Sequence, residues 1–143
     1  MLEIKDNVID VESYLYLRSK VGWRELLESQ AVMALQNSIV TKAAYLDGEL
    51  VGMGRIVGDR AVISYIQDLI VIPDAQSKGV GSKLLDSLID YVKDMTIDGS
   101  QMMLCLMCAK GREKFYLKHD FIARPTPELG PGMIQYIRKF EEI

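Results

Sequence analysis

The stretch from Ala61 to Val92 changes its hydrophobic period in mid-course, and that change constrains the fold more than any other feature of the chain. Ala61 to Ile72 is rich in β-branched and aromatic residues, as a strand is. Pro73, which cannot donate to a ladder, ends it. From Val80 onward, Leu84, Leu85, Leu88, Ile89 and Val92 follow at spacings of four, one, three, one and three, the signature of one apolar helical face. A helix therefore starts close to Gly79. Between strand and helix lies Gln76-Ser77-Lys78-Gly79-Val80-Gly81-Ser82, a glycine-bearing loop that feeds a helix N-terminus.

Such a loop is suited to holding an anion. The first turn of a helix has unpaired N–H groups and a partial positive charge, and glycines let a phosphate approach the backbone with no Cβ in the way. Lys78 and Lys83 add local positive charge. Read from these residues alone, two glycines at a strand-to-helix turn are structural more often than they hold phosphate. The loop lacks G-x-x-x-x-G-K-[ST], and it lacks the third glycine and following acidic partner of a dinucleotide site, so neither of those nucleotide-binding patterns applies.

The rest of the chain reads as short strands and helices. Leu2 to Ile4 makes a first strand, and Val11 to about Gln36 makes two helices broken near Gly22. Ile39 to Leu46 and Leu50 to Val57 are strand-like, and the Asp47-Gly48 pair between them is a hairpin turn. A second turn at Gly58-Asp59 leads into the Ala61 strand. Beyond the central helix we expect a buried strand Met102 to Met107, a helix from about Gly111 to Lys118, a short strand near Phe121 to Ala123 and a last strand Met133 to Phe140. The class is α+β, with a mixed, mostly antiparallel central sheet flanked by helices. With 143 residues and no repeat or linker, a single domain over 1–143 is expected.

Composition removes several functions. Seventeen basic against twenty acidic side chains, a formal charge of -3, argue against a general nucleic-acid binder. Cys105 and Cys108 are the only cysteines and His119 the only histidine, too few to complete a zinc site, so no metal is expected. This CxxC lies in the apolar run Met102 to Cys108 and not at a helix start, so two buried strand thiols are the simpler reading. The N-terminus lacks a basic start and a long apolar segment, and no apolar run approaches the roughly 20 residues that cross a bilayer. No membrane partner and a cytoplasmic location are the resulting expectations.

The segment Asp68-Leu69-Ile70-Val71-Ile72-Pro73-Asp74-Ala75-Gln76-Ser77-Lys78-Gly79-Val80-Gly81-Ser82-Lys83-Leu84-Leu85 resembles motif A of the GNAT superfamily of acyl-CoA-dependent N-acetyltransferases, Q/R-x-x-G-x-G/A after a strand and a proline. Lys114-Phe115-Tyr116-Leu117-Lys118-His119-Asp120-Phe121 resembles the later helix-to-strand segment, usually F-Y-x-K-x-G-F. Asp120 replaces a glycine that often needs a left-handed backbone, which Asp tolerates better than most residues. Ala109 stands where many relatives carry a cofactor-touching asparagine.

The resemblance implies a V-shaped cleft between two central strands, opened by a bulge. It implies an acetyl group moved from acetyl-CoA to a primary amine by direct attack in a ternary complex. The pantetheine arm pairs with the backbone of Asp68 to Val71, so Leu69, Ile70 and Val71 bind cofactor, with the amide of Leu69 or Ile70 facing the thioester carbonyl. The pyrophosphate takes the amides of the Gln76, Ser77, Lys78, Gly79, Val80, Gly81 and Ser82 loop. Tyr116 matches the tyrosine that protonates the departing thiolate. Asp68, with Gln67 nearby, or a water relay removes the amine proton. Trp23, Tyr14, Arg18 and Arg24 fall in the region that lines the acceptor pocket, and His119 reads as a surface turn residue. The acceptor is a small-molecule or peptide amine, and a homodimer is compatible with this reading. A non-catalytic acyl-CoA-binding regulatory domain is the alternative.

Overall fold

A five-stranded sheet organises the first of two units into which the contacts divide the chain, Met1–Met107, the second beginning at Cys108. The computed structural model describes residues 1–140. The strands are β1 (Leu2–Asp6), β2 (Val40–Leu46), β3 (Glu49–Gly58), β4 (Ile63–Val71) and β5 (Met103–Cys105), side by side in chain order. The first four pair antiparallel and β4 pairs parallel with β5, a mixed, mostly antiparallel sheet as expected.

Each connection follows from its residues. Asp47 and Gly48 both take positive φ, the turn that matches the twist of a two-residue hairpin, and so join β2 to β3. In the β3–β4 turn the Asp59 carboxylate accepts the amides of Ala61, Val62 and Ile63 at 2.9, 2.8 and 3.1 Å. Pro73 ends the β4 segment in a short 3-10 turn, Pro73–Ala75.

Helices cover both faces. On one side lie α1 (Val11–Lys20), capped by the Asp10 side chain on the Ser13 amide at 2.8 Å, and α2 (Glu28–Gln36). Tyr14, Leu17 and Ala31 pack there with Met53 and Ile70 from the sheet. On the other side α3 (Val80–Met95) presents its apolar face, and Val80 and Leu84 join Ala44, Val51 and Ala75 in a second core. Each fully buried leucine contributes roughly 1.5–3 kcal/mol. No helix among the described residues is long and apolar enough to cross a membrane.

Several sequence boundaries shift. The break between α1 and α2 runs from Val21 to Leu27, because Gly22 turns the chain with φ 71° and Leu27 caps α2 from outside in an extended conformation. The expected strand Met102 to Met107 is reduced to β5. In the second unit the expected helix is α4 (Glu113–Leu117), and Asp120 has the left-handed φ of 67° that its position asks for. Phe121 to Ala123 and Met133 to Phe140 are not strands. The first has three residues between the Asp120 turn and Pro125. The second alternates apolar residues, but Met133, Ile134, Tyr136 and Ile137 are all exposed and no ladder among the described residues pairs them, and alternation without a paired strand does not make a stable one. As a result β5 is the edge of a five-stranded sheet and not one of its central strands.

The β3–β4 pair leaves no room at Gly52, where a Cβ would stand 2.6 Å from the Ile70 carbonyl oxygen and 3.1 Å from Leu84. Gly52→Ala is expected to destabilise the fold by about 1–3 kcal/mol, read as a lower urea midpoint. An unchanged midpoint would mean that β3 and β4 separate without cost.

Candidate active site

Asp68 sits in the middle of β4 with a left-handed φ of 59°. Arg55 pairs with Gln67 and Met53 with Ile70, so Asp68 and Leu69 together oppose Gly54 alone, and β4 bulges there. A non-glycine residue in this conformation costs on the order of 1 kcal/mol or more, and it persists because its surroundings hold it. Asp68 Oδ2 accepts the Tyr14 hydroxyl at 2.5 Å and Arg55 Nε at 2.7 Å, and Oδ1 accepts Arg18 Nη1 at 2.7 Å. The carboxylate itself is fully buried, with 0% of its side chain exposed.

Each donor is delivered by a different element. Tyr14 and Arg18 lie one turn apart on α1, so both reach the same point on the sheet below. Arg55 comes from β3, and its Nη1 lies 3.4 Å from the Ser38 hydroxyl. Arg18 is further set by Nη2 donating to the Arg24 carbonyl at 2.9 Å and by its guanidinium 5.4 Å from the centre of the Trp23 ring. Burial raises the Tyr14 phenol above its ordinary pKa, and the hydrogen bond to Asp68 and that carboxylate's charge raise it further.

The bulge also marks where β4 loses one neighbour. Pairing with β5 covers only Ile63 to Tyr65, matched to Met103 to Cys105. From Ile66 to Val71 that side of β4 has no strand partner among the described residues, while β3 occupies the other. An edge of main-chain donors and acceptors thus runs from the bulge toward Pro73.

Beyond the 3-10 turn the loop curls into the start of α3. Ser77 and Gly79 are both left-handed, with φ 64° and 81°, which turns the chain sharply on either side of Lys78. Gly79 caps the helix and offers no side chain to its first turn. The space beside Gly79 is open, since a Cβ placed there meets nothing within 4 Å. Gln76 Nε2 donates to the Val71 carbonyl at 3.0 Å, so this side chain braces the loop. Val80 is buried in the core, which anchors the end of the loop where α3 begins.

In the second unit Tyr116 is half-buried on α4, with Phe115 and Phe121 edge-on at ring distances of 5.0 and 5.8 Å. Burial raises its phenol pKa first and nearby Cys108 second. His119 lies in the turn after α4 against the Phe115 ring, and Ala109 is exposed. Cys105 is half-buried at the end of β5, its thiol 3.6 Å from the Ser64 carbonyl. Cys108 is exposed instead of lying in the strand, because β5 stops three residues earlier.

The loop and Asp68 are among the residues that the sequence singles out, and the bulge is what the family resemblance implies, but Arg55 is not among them. A lone arginine inside the apolar strand Val51 to Val57, across a hairpin from a lone aspartate, was the available signal.

Replacing Asp68 by Asn keeps its shape but leaves two buried guanidiniums without a counter-charge, and we expect a loss of about 3–5 kcal/mol in urea unfolding. A second test uses pH. Stability from neutral Tyr14 is complete below about pH 10, where the unfolded phenol titrates, and is lost as pH rises through the higher folded value. Tyr14→Phe should accordingly lose less stability than the parent between about pH 9 and 11. Parallel declines would show that the Tyr14–Asp68 bond does not couple to folding.

A profile of the acetyltransferase (GNAT) family matches residues 9–121. The chain is 30% identical over 139 residues to histone acetyltransferase TAP1 of Glycine max, a match that covers 90% of this chain and 58% of that protein. It is 28% identical over 91 residues to the uncharacterized N-acetyltransferase ycf52 of Gracilaria tenuistipitata var. liui, covering 61% of this chain and 48% of the relative. The chain thus spans about half the length of these two curated relatives. Among solved structures, a probable acetyltransferase of meticillin-resistant Staphylococcus aureus superposes with a TM-score of 0.81 at 27% identity, over 95% of this chain and 100% of that one. A GNAT family acetyltransferase of Streptococcus pneumoniae TIGR4 gives a TM-score of 0.81 at 29% identity, over 97% and 100%. Likeness of sequence over residues 9–121 and of fold over nearly the whole length agree, and the chain belongs to the acetyltransferase (GNAT) family.

Proposed function

We propose that the protein transfers an acetyl group from acetyl-CoA to a primary amine, by direct attack in a ternary complex and in the cytoplasm. The observation that carries this reading is the continuous main-chain surface from the bulge at Asp68, along the open edge of β4, into the curled loop before α3. Acetyl-CoA supplies the activated acetyl thioester. An extended arm suits the open edge of β4 by strand addition through Leu69, Ile70 and Val71. The amides of Ser77 to Ser82, with Lys78 at their rim, suit a pyrophosphate, and the open space beside Gly79 is what close approach requires. In this scheme the amide of Leu69 or Ile70, next to the bulge, donates to the thioester oxygen as negative charge develops there.

The amine must lose a proton. Both Asp68 oxygens are already engaged by three donors, which favours a water relay over Asp68 as the direct proton acceptor. The scheme gives Asp68 the task of holding the bulge. It gives Tyr116 the proton for the leaving thiolate, and the raised phenol pKa keeps that proton in place at neutral pH.

Acetyl-CoA binding to the folded state alone should raise the melting temperature, by the equivalent of about 2.7 kcal/mol at a hundredfold excess over Kd. No shift at millimolar acetyl-CoA would refute the proposal. Tyr116→Phe should keep that shift while turnover falls roughly 10²-fold. Its residual rate should lack the alkaline fall that the parent shows as the phenol ionises. Acceptors to assay include small amines and a lysine-bearing peptide, since one relative is named for histones. Acetyl-CoA binding without turnover of any acceptor would favour the regulatory-domain reading.

A further inference from the structure

The cluster around Asp68 does not balance its charges. Among the described residues Arg18 and Arg55 each pair with Asp68 and with no other carboxylate, which leaves one positive charge in excess. That excess is also what the surface presents. The Asp68 carboxylate has 0% of its side chain exposed, while Arg18 and Arg55 expose 12% and 11%. The donors of Arg18 are not all used either, because its Nε is buried with no hydrogen-bond partner among the described residues. A buried donor without an acceptor is costly, and a guanidinium already oriented by Asp68, Arg24 and Trp23 loses little further freedom on meeting a second carboxylate.

The cluster lies beside the bulge where the acetyl group is placed in the scheme above, so its surplus charge faces the incoming acceptor. A positive neighbour has two effects there. It disfavours the ammonium form, which cannot attack, and it attracts an anion attached to the amine. One surplus charge matches a monoanion, and the planar fork of arginine matches a carboxylate.

We propose that the acceptor is an amine that carries a carboxylate, and that Arg18, backed by Trp23, is the residue that recognises it, with Arg55 completing the positive rim. This rests on the acetyltransferase reading, which it narrows to amino acids or the carboxylate-bearing ends of peptides. Asp68 and Tyr14 act through Arg18 and are positioning residues.

The test compares acceptors that differ only in the carboxylate. CoA release is measured with L-lysine, L-lysinamide and cadaverine, and with lysylglycine to separate a free amino acid from a peptide end. The proposal expects kcat/KM roughly 10- to 100-fold higher for L-lysine or lysylglycine than for the two acceptors without a carboxylate. Arg18→Lys keeps a charge but loses the fork, and it should shrink that ratio toward one; a purely structural arginine would lower all four rates together. Equal rates for all four acceptors, or a preference for cadaverine, would overturn the proposal. Trp23, the only tryptophan, gives a readout independent of turnover. Its fluorescence should respond to L-lysine and not to cadaverine, and an equal response or none to both overturns the carboxylate reading. Acetyl-CoA binding with no turnover, joined to a selective fluorescence response, would instead sink the enzymatic reading and leave the carboxylate site standing.

Discussion

A buried carboxylate that takes two guanidiniums and a phenol is the contact on which the rest of this molecule turns. Asp68 occupies a backbone conformation that a strand residue avoids, and three donors from α1 and β3 keep it there. Through that one side chain the helix is fixed to the sheet and the extra residue is fixed in β4. The price of burying ions is real, and replacing such a cluster by apolar side chains often stabilises a protein. Its value here lies in geometry: an apolar substitute would pack α1 on the sheet equally well, but it would give the strand no reason to bulge.

The two halves of the surface proposed to hold acetyl-CoA are built on different physical grounds. The edge of β4 is open because β5 pairs for three residues and stops. The loop is curled because Ser77 and Gly79 take left-handed conformations and because Gln76 and buried Val80 hold its two ends. Neither half takes its shape from a charged side chain. Lys78 adds to the field of the helix N-terminus without being required for the shape.

Much of this was legible in the sequence because it is written in local rules. The change of period at Pro73, the Asp47-Gly48 turn and the apolar face of α3 each follow from neighbouring residues, and each stands where those residues put it. The Asp68 cluster was not legible, since it joins residues 10 to 50 or more positions apart: Arg55 is 13 from Asp68, Arg18 is 50 and Tyr14 is 54. Simple hairpin counting misleads as well. The register sets Arg55 opposite Gln67, and only the bulge turns Asp68 toward it. The C-terminal segment Met133 to Phe140 fails for the opposite reason. Its alternation is a correct local signal, but a strand is completed by a neighbour that lies elsewhere in the chain.

The left-handed pair Ser77 and Gly79 has a consequence for how this loop can change over generations. When recognition is carried by the main chain, the side chains on the outer surface of the loop are spared the task of contact and are free to drift. The constraint falls on torsion angles instead of on chemistry. Lys78 is exposed and can be exchanged with little effect on shape, and Ser77 can give way to Asn, Asp or Gly, which tolerate the same conformation. Gly79 is held to the same short set by its own left-handed torsion, although no neighbouring atom crowds it. Lys78 and Gly79, adjacent and both exposed, thus carry unequal freedom to mutate, and the difference is set by backbone torsion and not by any contact visible in the folded chain.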